Sequence, residues 1–280
     1  MELKTPESFK TIDYAVTDGI ARITLNRPAE LNTMNGDFWP EMVQVFRAIE
    51  HDMNVRCVII ASTGKHFTAG LDLKWAGQNA LASSGNADLG RQREAFRRHV
   101  KELQDSFNVI DNCRVPVIAV CQGGCIGGGV DLVTACDLRI ATADAYFTIQ
   151  EINVAIVADV GTLQRIPFLL PQGLVRELAY TGRKFPAAEA AKWGFVNRVE
   201  DSHEAALAAA DAMAAEICAK SPLAITGIKQ VLNYGRDHSV ADGLEYVAVW
   251  NAGMLQGDDM KQAVAAQMAR QSATFQNLKP

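Results

Sequence analysis

The run from Val115 to Ala135 reads V-P-V-I-A-V-C-Q-G-G-C-I-G-G-G-V-D-L-V-T-A, and it constrains the fold more than any other stretch. A β-branched apolar segment, Val115 to Val120, passes into five glycines within seven residues: Gly123, Gly124, Gly127, Gly128 and Gly129. Apolar, helix-compatible sequence carrying Asp131 follows. Strand, tight turn, helix is the implied order. Glycines at such a junction let backbone approach a ligand closely, and the N–H groups that open the helix lack intrahelical acceptors and favour negative charge. Two phosphate sites lose their support. The glycines do not fit G-x-G-x-x-G, and Gly123 and Gly128, although at P-loop spacing, are followed by Gly129 where a P-loop needs Lys.

Three acids lie in or just beyond this stretch: Asp131 in G-V-D-L-V, Glu151 in I-Q-E-I-N-V and Asp159 in I-V-A-D-V-G. An acid among Val, Ile and Ala is costly to bury unless it is paired or does chemistry. Each has a plainer reading. Asp131 suits the first turn of a helix dipole, Glu151 a strand end reaching solvent, and Asp159 the N-cap of a helix beginning near Gly161. Together, beside a glycine turn, they favour a shared site. A second strand candidate, Val55 to Ala61, runs into another glycine-bearing turn, G-K-H-F-T-A-G-L-D-L-K at Gly64 to Lys74. Two strand ends with free N–H groups can converge on one oxygen, as a carbonyl turning into an enolate requires.

The remaining elements read more simply. Residues 11 to 25 predict a hairpin turning at Asp18-Gly19, ended by Asn26-Arg27-Pro28. A helix is expected from Asp37 as cap, burying Met42, Val45, Phe46 and Ile49. Gln78 to Gly90, rich in Ala, Ser, Asn and Gly, predicts a mobile loop or lid, and Arg91 to Asn112 an amphipathic helix burying Phe96, Val100, Leu103, Phe107 and Ile110. Short helices are expected at Gly173 to Gly182 and Pro186 to Trp193, with a strand at Phe195 to Val199. From Asp201 onward the sequence is helix-forming to about Arg270. An α/β core with a helical C-terminal region follows.

Composition narrows the function classes. A net charge of -5 in 280 residues disfavours a general nucleic-acid binder. No apolar run reaches the length of a membrane span. The six cysteines sit mostly in apolar context without a C-x-x-C pair, and the five histidines show no ligand or base pattern, which disfavours metal or thiol chemistry despite Cys125 in the glycine turn. The charged start and the Asn-Leu-Lys-Pro end, unlike an S-K-L address, give the expectation of a cytoplasmic protein.

Three segments, G-G-C-I-G-G-G-V-D-L, H-F-T-A-G-L-D-L-K and T-L-Q-R-I-P, resemble the crotonase (enoyl-CoA hydratase/isomerase) superfamily, over about Asp13 to Phe275. Within it, E-I-N-V-A-I-V-A-D-V-G-T-L-Q-R is most similar to the dienoyl-CoA isomerases, because ordinary hydratases resemble it at Glu151 but have glycine at the place of Asp159. The resemblance implies a crotonase-like spiral of β-β-α units, with residues 1–200 as the acyl-CoA-binding catalytic core and 201–280 as a helical oligomerisation region. It implies backbone donors at Leu71 and Gly128, substrate contacts at Ala69, Gly70, Leu71, Asp72, Leu73, Lys74 and Gly128, and catalysis by Asp131, Glu151 and Asp159. Glu151 is assigned to C2 and Asp159 to C6, with the reverse direction open; Asp131 holds the pair. Lys74 is either a CoA phosphate contact or a solvated lysine, and the C-terminal lysine that the family often supplies to CoA is missing from Met268-Ala269-Arg270. The implied partners are acyl-CoA and copies of the same chain, as a homotrimer or dimer of trimers, with no nucleic acid, membrane or metal and no cofactor beyond the CoA of the substrate. Two other readings stay open: a 2-enoyl-CoA hydratase using Asp131 and Glu151, and a noncatalytic acyl-CoA- or RNA-binding relative.

Overall fold

A computed structural model describes residues 9–78 and 88–279. Strands β1 (Ile12–Thr17) and β2 (Ile20–Leu25) pair antiparallel, with Asp18 and Gly19 both at positive φ, 53° and 78°. That is the two-residue turn an Asp-Gly pair favours. Helix α1 (Phe38–His51) buries Met42, Val45, Phe46 and Ile49 as its periodicity predicts. Its cap differs from expectation. Asp37 makes no capping bond and pairs with Lys10 at 3.0 Å, while Asn35 Oδ1 accepts from the N–H groups of Asp37 and Phe38.

Strand β3 (Cys57–Ser62), buried at all six positions, lies parallel to β2. Helices α2 (Leu73–Gln78) and α3 (Leu89–Asp111) lead to β4 (Val117–Cys121), β5 (Gly124–Ile126), α4 (Gly128–Ala135), β6 (Leu138–Thr142) and β7 (Tyr146–Thr148). Then come α5 (Thr162–Arg165), α6 (Gln172–Thr181), β8 (Phe185–Pro186), α7 (Ala187–Lys192) and β9 (Arg198–Glu200). Helices α8 (His203–Cys218), α9 (Pro222–Tyr234), α10 (Val240–Met254) and α11 (Asp258–Ala269) complete the chain.

One sheet runs β1-β2-β3-β4-β6-β9, parallel from β2 onward, and a smaller one runs β5-β7-β8. The chain lays a strand in the large sheet, a strand in the small one and a helix, then returns, as in β4-β5-α4. This is the expected spiral of β-β-α units. Its consequence for function is positional: Gly123 lies in the turn from β4 of the large sheet to β5 of the small one, and Gly127 in the turn from β5 into α4. Most of the core lies between the sheets and α1, α3 and α4. The other face of the large sheet is covered by α8, whose Ala206, Ala210 and Ala214 pack on Ile59, Ile118, Val120 and Ile140.

Three expectations shift. The loop predicted for 78–90 lies mostly outside the described residues, and Leu89 and Gly90 already belong to α3, capped by Asp88, which accepts from Gly90 and Arg91. Only the second half of α3 packs on the body: Phe107 and Ile110 are buried, while Phe96 is 51% exposed among charged neighbours. The strand predicted from Phe195 starts at Arg198, because the Phe195 ring is taken up in an aromatic cluster 5.0 Å from Phe147 and 5.8 Å from Phe185.

Candidate active site

The two glycine turns meet. Gly70 has φ +82°, and a Cβ there would stand 2.5 Å from the Ile126 carbonyl oxygen and 3.4 Å from Gly128 N. Only glycine satisfies both demands. Backbone bonds stitch the turns together: Phe67 N to Gln122 O at 2.8 Å, Thr68 N to Gly124 O at 3.1 Å and Ile126 N to Thr68 O at 3.1 Å. His66, which had shown no pattern in the sequence, adds a side-chain link, its Nδ1 accepting from Gly124 N at 2.8 Å. On the far side Met34 N donates to Gly70 O and Asp72 N donates to Met34 O, bracketing Leu71. Among the described residues neither Leu71 N–H nor Gly128 N–H has an acceptor. Gly128 is the first residue of α4, where an orphan donor is expected.

Glu151 and Asp131 reach this junction from separate elements, and Asp159 lies near enough for its charge to act on both. Glu151 begins the 3-10 turn after β7, and its Oε1 lies 3.2 Å from where a Cβ on Gly127 would be. Its carboxyl is therefore pressed against the residue preceding Gly128. Asp131, one helical turn into α4, is fully buried. Its Oδ1 accepts from Thr162 N at 2.6 Å, and Oδ2 is buried without a partner among the described residues. Asp131 thus serves the N-terminus of α5 from another helix. Asp159 does not cap that helix, whose N-cap is Gly161. As a whole residue Asp159 is exposed, its carbonyl receiving a bond from Gln104 Nε2 at 2.7 Å.

Burial dominates the electrostatics. It pushes Asp131 up to about 6, against the Thr162 hydrogen bonds and the Arg165 charge that pull it down. It pushes Glu151 up to about 7, assisted by the negative charges of Asp131 and Asp159. Partial shelter of its carboxyl also raises Asp159. Groups this perturbed, clustered beside free backbone donors, can exchange protons near neutral pH. Cys125 is different. Burial and the neighbouring Cys121 raise it well above an ordinary thiol, so it stays protonated in the core.

The other residues singled out in the sequence divide by what they touch. Ala69 and Gly70 form the turn itself, with Ala69 N donating to Leu31 O. Asp72 is engaged structurally: it accepts from the N–H groups of Lys74 and Trp75 and faces Arg27, which hold its carboxyl below the usual range. Leu73 and Lys74 are exposed on the first turn of α2. Thr162 and Arg165 escaped sequence reasoning. Their signal was present in T-L-Q-R, but only the fold brings it to Asp131. A cavity of about 390 Å³ opens beside Asp159, lined by Val160, Gly161, Arg165 and Asp111 among others, and none of the three acids lines it.

The sequence matches the model of the enoyl-CoA hydratase/isomerase family over residues 15–277. This chain belongs to that family. A human protein named Delta(3,5)-Delta(2,4)-dienoyl-CoA isomerase, mitochondrial, is 49% identical over 248 residues, covering 88% of this chain and 75% of its own. An Arabidopsis thaliana protein named as the peroxisomal form of the same isomerase is 41% identical over 277 residues, covering 98% and 100%. Among solved structures, an enoyl-CoA hydratase from Bacillus anthracis superposes with a TM-score of 0.86 at 28% identity, covering 95% of this chain and 99% of that one. These names correct one expectation. These two isomerase relatives are named mitochondrial and peroxisomal, so a cytoplasmic assignment is overturned. Compartment is read by receptors from several kinds of address, so a charged start and the lack of one such address, S-K-L, carried no information about it. No described helix is long and apolar enough to cross a membrane.

Proposed function

We propose that this chain converts 3,5-dienoyl-CoA into 2,4-dienoyl-CoA. The observation that carries the reading is Glu151, an acid poised near pH 7 against the glycine turn, with the separate acid Asp159 close enough for its charge to be felt. Relatives named for this isomerisation support it.

The reaction removes a proton at C2, moves the two double bonds by one carbon each, and returns a proton at C6. In this reading the thioester oxygen accepts hydrogen bonds from Leu71 N–H and Gly128 N–H, which stabilise the dienolate as charge arrives. One such donor is worth ~2.7–4 kcal/mol. C2 is bonded to the carbonyl carbon, so its base must lie beside those donors, and Glu151 does. Asp159 then protonates C6 and reloads from the solvent to which it is exposed. Asp131 stays between them as a buried charge that holds α5 and keeps Glu151 basic. Ala69, Gly70, Asp72 and Leu73 shape the turn around the thioester, and Lys74 is placed at the surface to meet CoA phosphate.

The chain also acts as a homotrimer or dimer of trimers in this reading. Helices α10 and α11 bury none of their residues, yet present Val240, Leu244, Val249, Met254, Val264 and Met268 to the outside. An apolar surface of this extent marks an interface.

The test offers the pure protein 3,5-dienoyl-CoA and, separately, 2-enoyl-CoA. Growth of conjugated 2,4-dienoyl absorbance that Asp159→Gly suppresses supports isomerisation. Hydration of 2-enoyl-CoA alone, unaffected by Asp159→Gly, refutes it.

A further inference from the structure

Asp131 is not left to burial alone. The N–H it accepts from belongs to Thr162, the first residue of α5, and the last residue of that four-residue helix is Arg165. The Arg165 guanidinium is nearly enclosed, with 11% of its side chain exposed. Nε donates to Asp111 Oδ2 at 3.1 Å and Nη2 to Asn108 Oδ1 at 2.7 Å, both from the end of α3. Nη1 is buried without a hydrogen-bond acceptor among the described residues and lies so close under Gly161 that a Cβ there would overlap it. An unpaired guanidinium N–H in the interior is costly. Here it sits one residue before the N–H that reaches Asp131.

Asp111 is shared. Arg236, just after α9, pairs with its Oδ1 at 2.9 Å, and Asn233 Nδ2 donates to its carbonyl at 3.0 Å. Two arginines therefore flank one carboxylate, which leaves a surplus of positive charge on the Asp131 side. The opposing charges are few. Asp237 lines the cavity beside Arg236, and the charges of Asp159 and Glu151 act on Asp131 from the segments after β7, while the buried Cys125 thiol beside it on β5 stays protonated and adds none.

We propose that Arg165 is a positioning residue for the isomerase reaction: anchored by Asn108 and by an Asp111 shared with Arg236, it fixes α5 against Asp131 and keeps that carboxylate charged. Asp131 in turn sets the basicity of Glu151, so the C-terminal helices reach the proton-transfer step through Arg236, Asp111 and Arg165. The inference rests on the reading of Glu151 as the C2 base. Without the Arg165 charge, Asp131 goes neutral at higher pH, Glu151 loses a repelling neighbour, and Glu151 ionises at lower pH.

The test is the pH profile of kcat/KM for 3,5-dienoyl-CoA, which reports the free enzyme. In Arg165→Gln the midpoint of the acid limb is expected to fall by roughly half a pH unit or more. Arg165→Lys, which keeps the charge but not the fork, should restore the wild-type midpoint at reduced kcat/KM. Arg236→Gln, at the exposed edge, should move it the same way by less. A role in packing alone would lower the rate at every pH and leave the midpoint in place, and that result for Arg165→Gln overturns the proposal. Should Arg165→Gln fail to fold, an unmoved midpoint in Arg236→Gln overturns it instead. Wild-type protein inert toward 3,5-dienoyl-CoA would sink the functional reading; an active wild type with unmoved variants sinks only this inference.

Discussion

Two segments of this chain look almost alike and behave in opposite ways. Gly70-Leu71-Asp72-Leu73 and Gly129-Val130-Asp131-Leu132 each place an aspartate two residues after a glycine of a strand-end turn. Asp72 is held ionised, its carboxyl lowered first by the Trp75 N–H and then by Arg27, against burial. Asp131 is raised to about 6 because burial outweighs a single strong N–H bond and the Arg165 charge. The difference is tertiary. Asp72 caps its own short helix at the surface, whereas Asp131 lies inside a helix whose eight residues are all buried and serves a different one. One turn carries a structural acid and the other, in the proposed reading, an acid that serves the chemistry, while each holds a backbone N–H without an acceptor among the described residues.

Breaking the chemical side should produce the largest effect. Glu151→Gln is expected to lower kcat by ~10²–10⁴, the usual worth of a positioned proton-transfer group, with CoA affinity nearly intact. Steady-state rates and equilibrium binding of a CoA thioester check both halves. Asp159→Gly should lower isomerisation by ~10²-fold or more while sparing any hydration of 2-enoyl-CoA. Equal loss of the two activities would break the distinction between Glu151 and Asp159.

The same groups must appear in stability. Glu151 is raised in the folded state, so its contribution is fully present below the unfolded pKa and is lost as pH rises through about 7. Glu151→Gln removes that loss. The variant should therefore gain on the order of 2 kcal/mol over wild type at pH 8 and little at pH 4, after allowing for partial solvent screening. Thermal unfolding at the two pH values measures it. Asp131→Asn, which can still accept from Thr162 through its amide oxygen, should shift the acid limb of kcat/KM to lower pH by relieving Glu151. The smallest effect belongs to the structural side. Asp72→Ala should cost about 1 kcal/mol as a lost helix cap, with the pH midpoint unmoved. A displaced midpoint there would show that the two aspartates are not as different as described.

Much of this was legible in the sequence, for a physical reason in each case. The Asp-Gly hairpin and the apolar face of α1 depend on near neighbours, and local pattern carries them. Three acids in apolar sequence pointed to a candidate site because burying an acid needs a cause, and Asp131 is the one that is fully buried. What the sequence withheld depends on distance along the chain. The plainer reading of Asp159, as a cap for α5, fails because Asp131, 31 residues from Thr162, accepts that helix's first N–H. His66 reaches Gly124 across 58 residues. T-L-Q-R marked the family, but the partners of Arg165 were hidden: Asp111 lies on α3, and Arg236, which shares it, lies beyond α9. The exposed first half of α3 misled the periodicity because nothing described packs against Phe96 to bury it.

The central claim is that one carboxyl takes hydrogen from C2 beside the backbone donors while a different, solvent-exposed carboxyl gives hydrogen to C6. Turnover of 3,5-dienoyl-CoA in deuterium oxide, read by NMR of the product, tests it most directly. Two separate groups predict solvent deuterium at C6 of the 2,4-dienoyl product from the first turnovers. Product carrying the original C2 hydrogen at C6, with no solvent label, would mean a single shuttling acid and would contradict the account.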